Sequence, residues 1–178
     1  MLTTTVEYAL RAATYLASRA PKHRTTEQIA DKTRVPLPYM AKVMQQLVRG
    51  GVAQSLRGSQ GGYALTRTPD QLTVLDVVNA VDPIRRIRAC PLGLLSHATE
   101  LCPLHRRMDA ALESVEDSFR VTTLAEVLAD PSRSKPLCGV PETPGHSSVS
   151  GDSWATGLEL HHLDCKCTKR APSDLAGK

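Results

Sequence analysis

The sequence predicts a mainly α fold with one small β-hairpin, and three observations carry that prediction. Apolar residues recur at steps of three and four over several segments, most clearly over Pro38 to Gly51, PYMAKVMQQLVRGG. Wound as a helix, this segment puts Met40, Val43, Met44 and Leu47 on one side and Tyr39, Lys42, Gln45, Gln46 and Arg49 on the other. Threonine followed three residues later by a side chain that can bond back marks two further helix starts, Thr25 with Gln28 and Thr73 with Asp76. Two short runs, Val52 to Arg57 and Gly62 to Thr66, are joined by Gly58-Ser59-Gln60-Gly61, a glycine-bounded turn between strands.

The first helix is expected from an N-cap at Thr5 to about Ser18, with Val6, Leu10, Ala13, Leu16 and Ala17 inward. Glu7 lies in its first turn, where the helix dipole favours an acid. The second runs from Thr25 to about Lys32, and a connection from Thr33 to Leu37, with Val35 filling the gap, leads to the third. Pro38 suits the first helical position and Gly50-Gly51 supplies a left-handed stop. Two helices so joined form a helix-turn-helix, with the third as its recognition helix. Lys, Gln and Arg can reach base edges in a major groove, and Tyr can reach a phosphate. The following hairpin has the character of a wing: Arg57 can enter a narrow minor groove, and Gly61-Gly62 permit positive φ or close approach of backbone to DNA. The expected DNA-binding set is therefore Pro38, Tyr39, Lys42, Gln45, Gln46, Arg49, Arg57, Ser59, Gln60, Gly61 and Gly62. A solvated helix face and a solvent-exposed hairpin are the plainer alternatives, and it is their adjacency that favours binding.

After the wing, Thr73-x-x-Asp76 caps a helix whose Val74, Val77, Val78 and Val81 would pack on the domain, and Pro83 ends it. A loop with Arg85, Arg86, Arg88, Cys90, His97, Cys102 and His105 follows. From Pro103 to about Phe119, Leu104, Met108, Leu112, Val115 and Phe119 form a single long apolar stripe. Such a stripe suits a dimerisation helix, with packing inside the monomer as the alternative. A short helix, Thr122 to Ala129, precedes Pro131. The organisation expected is thus a winged helix-turn-helix domain over 1–82, a cysteine-containing sensor loop and dimerisation helix over 83–130, and a disordered tail over 131–178, rich in Pro, Gly and Ser.

Charge supports this division. Residues 1–67 hold ten Lys/Arg against three Asp/Glu, whereas the remainder holds twelve against fifteen, so the basic excess surrounds the recognition helix. Aromatic residues are only 3%, which argues against stacking on single-stranded bases. No apolar run approaches the roughly eighteen residues of a membrane span, and MLTTTVEYAL has no basic region before an apolar core. A cytoplasmic protein without a membrane partner is expected. No nucleophile with its base is recognisable, and the wing's Gly-x-x-Gly-Gly lacks the Lys-Ser/Thr of a nucleotide loop. The expectation is therefore a regulator without enzymatic activity or small-molecule substrate, with a metal-binding protein that does not bind DNA as the weaker alternative.

The opening TVEYALRAATYLA, the turn and helix VPLPYMAKVMQQLVRGGV, the wing SLRGSQGGYALTRTPDQLTVLDVVNAVD and a Cys-Pro loop leading into a long helix together resemble the Rrf family of winged-helix transcription regulators, which includes IscR and NsrR. The resemblance runs in order from residue 1 to about 130, and RGSQGGY is its most specific part. It implies a homodimer whose long helices cross at the dyad and which binds a pseudo-palindromic double-stranded operator, usually as a repressor. It also implies a sensor of redox, iron-sulfur or nitric oxide status. Members with a cluster carry three cysteines at intervals of six residues before the long helix; here Cys90 and Cys102 match the outer two and Ser96 stands at the centre. Serine is a poor iron ligand at neutral pH, because its hydroxyl stays protonated. By resemblance His105 and Glu7 could complete a mixed set, Glu7 reaching the loop of the other subunit, which favours a two-iron over a four-iron cluster. His97 could also compensate. A clusterless thiol switch through Cys90 and Cys102, or no redox role, stays open. In the tail, which the resemblance does not cover, His161, His162, Cys165 and Cys167 have a metal-binding composition without a recognised spacing.

Overall fold

The structure is a computed structural model of the chain, and it describes residues 2–58, 61–91, 93, 100–131 and 136–137. The expected tail and its His161, His162, Cys165 and Cys167 lie outside the described residues, as do Ser59, Gln60, Ser96 and His97.

Helix α1 spans Thr4–Arg19. Its cap is Thr3, not the expected Thr5: Thr3 Oγ1 accepts from the Val6 amide and donates to Asp82 Oδ2 at 3.2 Å. Each of three consecutive threonines could cap; the contact with Asp82, far along the chain, selects the first. Helix α2, Thr26–Thr33, begins with the expected reciprocal box between Thr25 and Gln28. It closes on Arg34 in the left-handed conformation, φ 56°, whose amide returns to Ala30 and Asp31. Helix α3, Leu37–Arg49, starts one residue earlier than expected, with Pro36 in the cap position.

Of the two glycines after α3, only Gly51 is left-handed, φ 72°. Gly50 is required for a different reason: a Cβ there would lie 2.3 Å from that of Ala80, so α3 and the next helix touch at this point. Strands β1, Ala53–Leu56, and β2, Gly62–Leu65, pair antiparallel with Ala53 opposite Leu65. Helix α4, Val74–Val81, carries the expected Thr73/Asp76 box and buries Val74, Leu75, Val77 and Val78; Val81 is only half-buried.

One core joins α1 to α4, with Leu16, Ile29, Met40, Met44, Leu47 and Leu72 fully buried and Val35 filling the turn as expected. Burying each side chain of this size contributes about 1.5–3 kcal/mol. Helix α5, Pro103–Val121, is followed by α6, Leu124–Ala129, whose Leu124 enters the same core. The return is fixed by a short bridge rather than by the expected helix start at Thr122: the Val74 amide donates to Thr122 O and the Leu124 amide to Leu72 O, both at 2.9 Å. None of the described helices is long and apolar enough to cross a membrane.

Candidate nucleic-acid interface

Four apolar side chains orient α3. Met40, Val43, Met44 and Leu47 are all buried, so at about 100° per residue the opposite side is centred on Pro38, Lys42, Gln45 and Arg49, and all four are exposed. Tyr39 and Gln46 lie on one flank. Tyr39 is 59% exposed, with Lys42 Nζ 6.0 Å above its ring, while Gln46 is half-buried. That flank faces the start of α1 across an open cleft of about 690 Å³, lined by Thr4, Thr5 and Tyr8 on one wall and by the polar residues of α3 on the other. The polar side chains singled out in the sequence therefore occupy one surface, but Gln45 and Gln46 are not equivalent upon it.

The wing follows α3 in the chain. Arg57 is exposed at its base and Gly58 is left-handed, φ 113°. The glycines that follow are explained inside the molecule. A Cβ at Gly61 would lie 2.5 Å from Leu56 O, and one at Gly62, φ 154°, would lie 2.6 Å from Arg24 O. The chain segment before α2 lies that close because Arg24 and Tyr63 exchange both backbone hydrogen bonds, at 2.9 and 2.8 Å, adding a bridge to the edge of β2. Gly62 has the positive φ expected of it, and both glycines closely approach the protein's own backbone. Arg24 was not foreseeable here, since a single bridging residue in a loop leaves no periodic pattern.

The candidate sensor residues are only partly assembled. Cys102 sits at the N-cap of α5 with its Sγ 3.4 Å from His105 Nδ1, one turn on. Cys90, like Cys102, is half-buried. Glu7 accepts from Arg11 Nε at 2.7 Å, and Arg11 also reaches Thr33 O, which ties α1 to the turn of the helix-turn-helix. Among the described residues no three potential metal ligands cluster. A thiol and an imidazole on one turn fit one side of a mixed-ligand cluster site, but one chain does not complete the set among its described residues.

Between wing domain and cysteines, Arg86 forms a junction the sequence did not disclose. Its guanidinium donates in parallel to both carboxylate oxygens of Asp109, at 2.7 Å each, and approaches Glu113 and Glu116 at 3.2 and 3.6 Å. The Ile87 amide adds a third bond to Asp109 at 2.8 Å. Asp109 is held down to about 2, chiefly by its hydrogen bond from Arg86, and the same carboxylate raises Arg86 further. The loop is thereby fastened to the middle of α5.

Comparison with known proteins agrees with this geometry. The family model described as Rrf2, iron-dependent transcriptional regulator, matches residues 2–130. An HTH-type transcriptional regulator of Aquifex aeolicus (strain VF5) is 31% identical over 127 residues, covering 70% of this chain and 88% of that protein. Among solved structures, CymR, the global cysteine regulator of B. subtilis, is similar with a TM-score of 0.60 at 23% identity, over 74% of this chain and 98% of its own. IscR of T. potens is similar with a TM-score of 0.60 at 23% identity, over 74% and 88%. At such identities these two likenesses bear on the fold alone, a winged helix.

Proposed function

The chain belongs to the Rrf2 family of transcriptional regulators, and on that premise we propose that it is a homodimeric repressor that binds a two-fold operator and responds to redox, iron-sulfur or nitric oxide status through the Cys90/Cys102 loop. The observation that carries the DNA-binding part is the division of α3 into a fully buried apolar side and a side presenting Lys42, Gln45 and Arg49 to solvent, with Arg57 of the wing exposed beyond it. Gln45 is the reader of base edges; Lys42, Arg49 and Arg57 hold phosphates and set the register. Ser59, Gln60 and Gly61 at the wing tip belong to the same proposed footprint.

The dimer reading rests on α5. No residue of this helix is buried, and Leu104, Met108 and Val115 are 65, 48 and 41% exposed along one stripe. Two such helices crossing would cover these side chains and place the recognition helices about 34–36 Å apart, one turn of DNA. The far end of the stripe is occupied internally, where Phe119 packs on Val6, Val74 and Val78.

For the sensor, Cys90, Cys102 and His105, with Glu7 from the other subunit, would hold a two-iron cluster, which when bound supplies a reversible one-electron change. Within the chain, His105 orients the Cys102 thiol and Arg86 holds the loop on α5. Arg11 engages Glu7 through Oε1, which leaves Oε2 as the oxygen that would serve as a ligand. The alternative is a clusterless switch in which the thiols of Cys90 and Cys102 are themselves oxidised. Protein purified without oxygen, assayed for colour, iron and binding to genomic DNA fragments, tests these readings. A retarded fragment and about two irons per subunit are expected. Colourless protein whose DNA binding responds to oxidant would leave the thiol switch, and failure to bind any fragment would overturn the repressor reading.

A further inference from the structure

The end of α3 that leads into a major groove offers almost no backbone hydrogen-bond donor. Its first three residues are Leu37, Pro38 and Tyr39, preceded by Pro36 in the cap position without any side-chain cap bond. The amides of Tyr39 and Met40 are both taken up by Pro36 O, at 3.0 Å each, and Pro38 has no amide to offer. At most the Leu37 amide is left, so this helix start is a poor anion site despite the dipole behind it. Leu37 is nonetheless 44% exposed, on the flank away from the cleft, and with Pro36 and Pro38 it makes a contiguous apolar tip at the edge of a basic surface. A helix of this kind enters the groove by its N-terminal residues. The apolar group that the groove edge of a base pair displays is the 5-methyl of thymine.

We infer that Leu37 and Pro38 read thymine through its 5-methyl group, so that each operator half-site carries a T·A pair beneath the first turn of α3. The inference rests on the operator-binding reading above and adds the chemistry of one position within it. Base identity is then recognised in two ways along one helix: by apolar contact at its start and by hydrogen bonds from Gln45 two turns later.

Duplexes retained by the full-length protein from a random-sequence pool supply the operator, and replacing each thymine in turn by deoxyuridine removes the methyl and nothing else. Binding by the unaltered protein should fall about fourfold at one or two thymines per half-site, the effect of one buried methyl. Leu37→Ala, at an exposed position, should bind the thymine duplex more weakly and lose its preference over the uracil duplex at those same positions. Equal binding to every uracil-substituted duplex by the unaltered protein would overturn the inference while leaving the repressor reading intact. A preference for thymine that survives Leu37→Ala would overturn it as well. If no duplex is retained, the operator-binding reading falls, and this inference with it.

Discussion

At the scale of single residues, α3 makes distinct predictions for side chains that a helical wheel would group. Gln45 lies at the centre of the exposed side and Gln46 on its flank, half-buried beside the cleft to α1. Gln45→Ala should therefore blur discrimination between operators by roughly 1–3 kcal/mol, measured as the ratio of affinities for an operator and its single-base variants. Lys42→Ala should weaken all duplexes more evenly and reduce the slope of log affinity against log salt by about one. The opposite pattern would reverse the two roles. Glycine positions separate in the same way. Gly62→Ala should lower thermal stability by about 1–3 kcal/mol, because the new methyl meets the Arg24 carbonyl, whereas Arg57→Ala should weaken DNA binding and leave the melting temperature unchanged. Both are checked by thermal melts beside anisotropy titrations. The sequence marked Gly62 as special; why it is special depended on Arg24, 38 positions away and visible only in the fold.

Among elements, the junction between the loop and α5 is the least expected from sequence. Arginines 85, 86 and 88 are indistinguishable there, yet Arg86 alone is described with a bidentate partner on α5. The folded-state value of Asp109, about 2, lies below its ordinary 3.8, so the folded chain binds its proton less readily than the unfolded chain. Its contribution to stability is accordingly present above pH of about 4 and lost as the pH falls through about 2. Asp109→Asn should lower stability at neutral pH and flatten the acid-unfolding curve between those values, measured by denaturant titration at stepped pH. An unchanged acid limb would show that the pair is not coupled to folding. If Arg86 also transmits the state of the cysteines, Arg86→Ala should keep operator binding but uncouple it from oxidant.

For the whole molecule, the exposed part of the α5 stripe, Leu104, Met108 and Val115, predicts the oligomeric state. Met108→Glu places a charge where two helices would meet, and it should convert a dimer to a monomer in light-scattering chromatography and weaken operator binding at least tenfold. Loss of the second half-site explains that weakening. A variant that stays dimeric would move the interface off this stripe. The core of each protomer should be untouched, since Met108 contributes nothing to it.

Local signals in the sequence determined the helices and where half of them begin: the Thr25/Gln28 and Thr73/Asp76 boxes, the apolar period of α3, and the glycine turn between β1 and β2 all recur in the structure, because each depends on residues three or four apart. The same period foretold which face of α3 is buried, and hence most of the candidate DNA surface. Only the tertiary structure decided the remainder. Thr3 caps α1 in place of Thr5 because Asp82 is near it; Gly50 is fixed by Ala80, Gly62 by Arg24, Arg86 by Asp109, and Leu124 by a core built from the first half of the chain. In each case the deciding partner is remote in sequence, and a contact between residues tens of positions apart imprints no period or spacing on either of them; it exists only once the chain has closed upon itself.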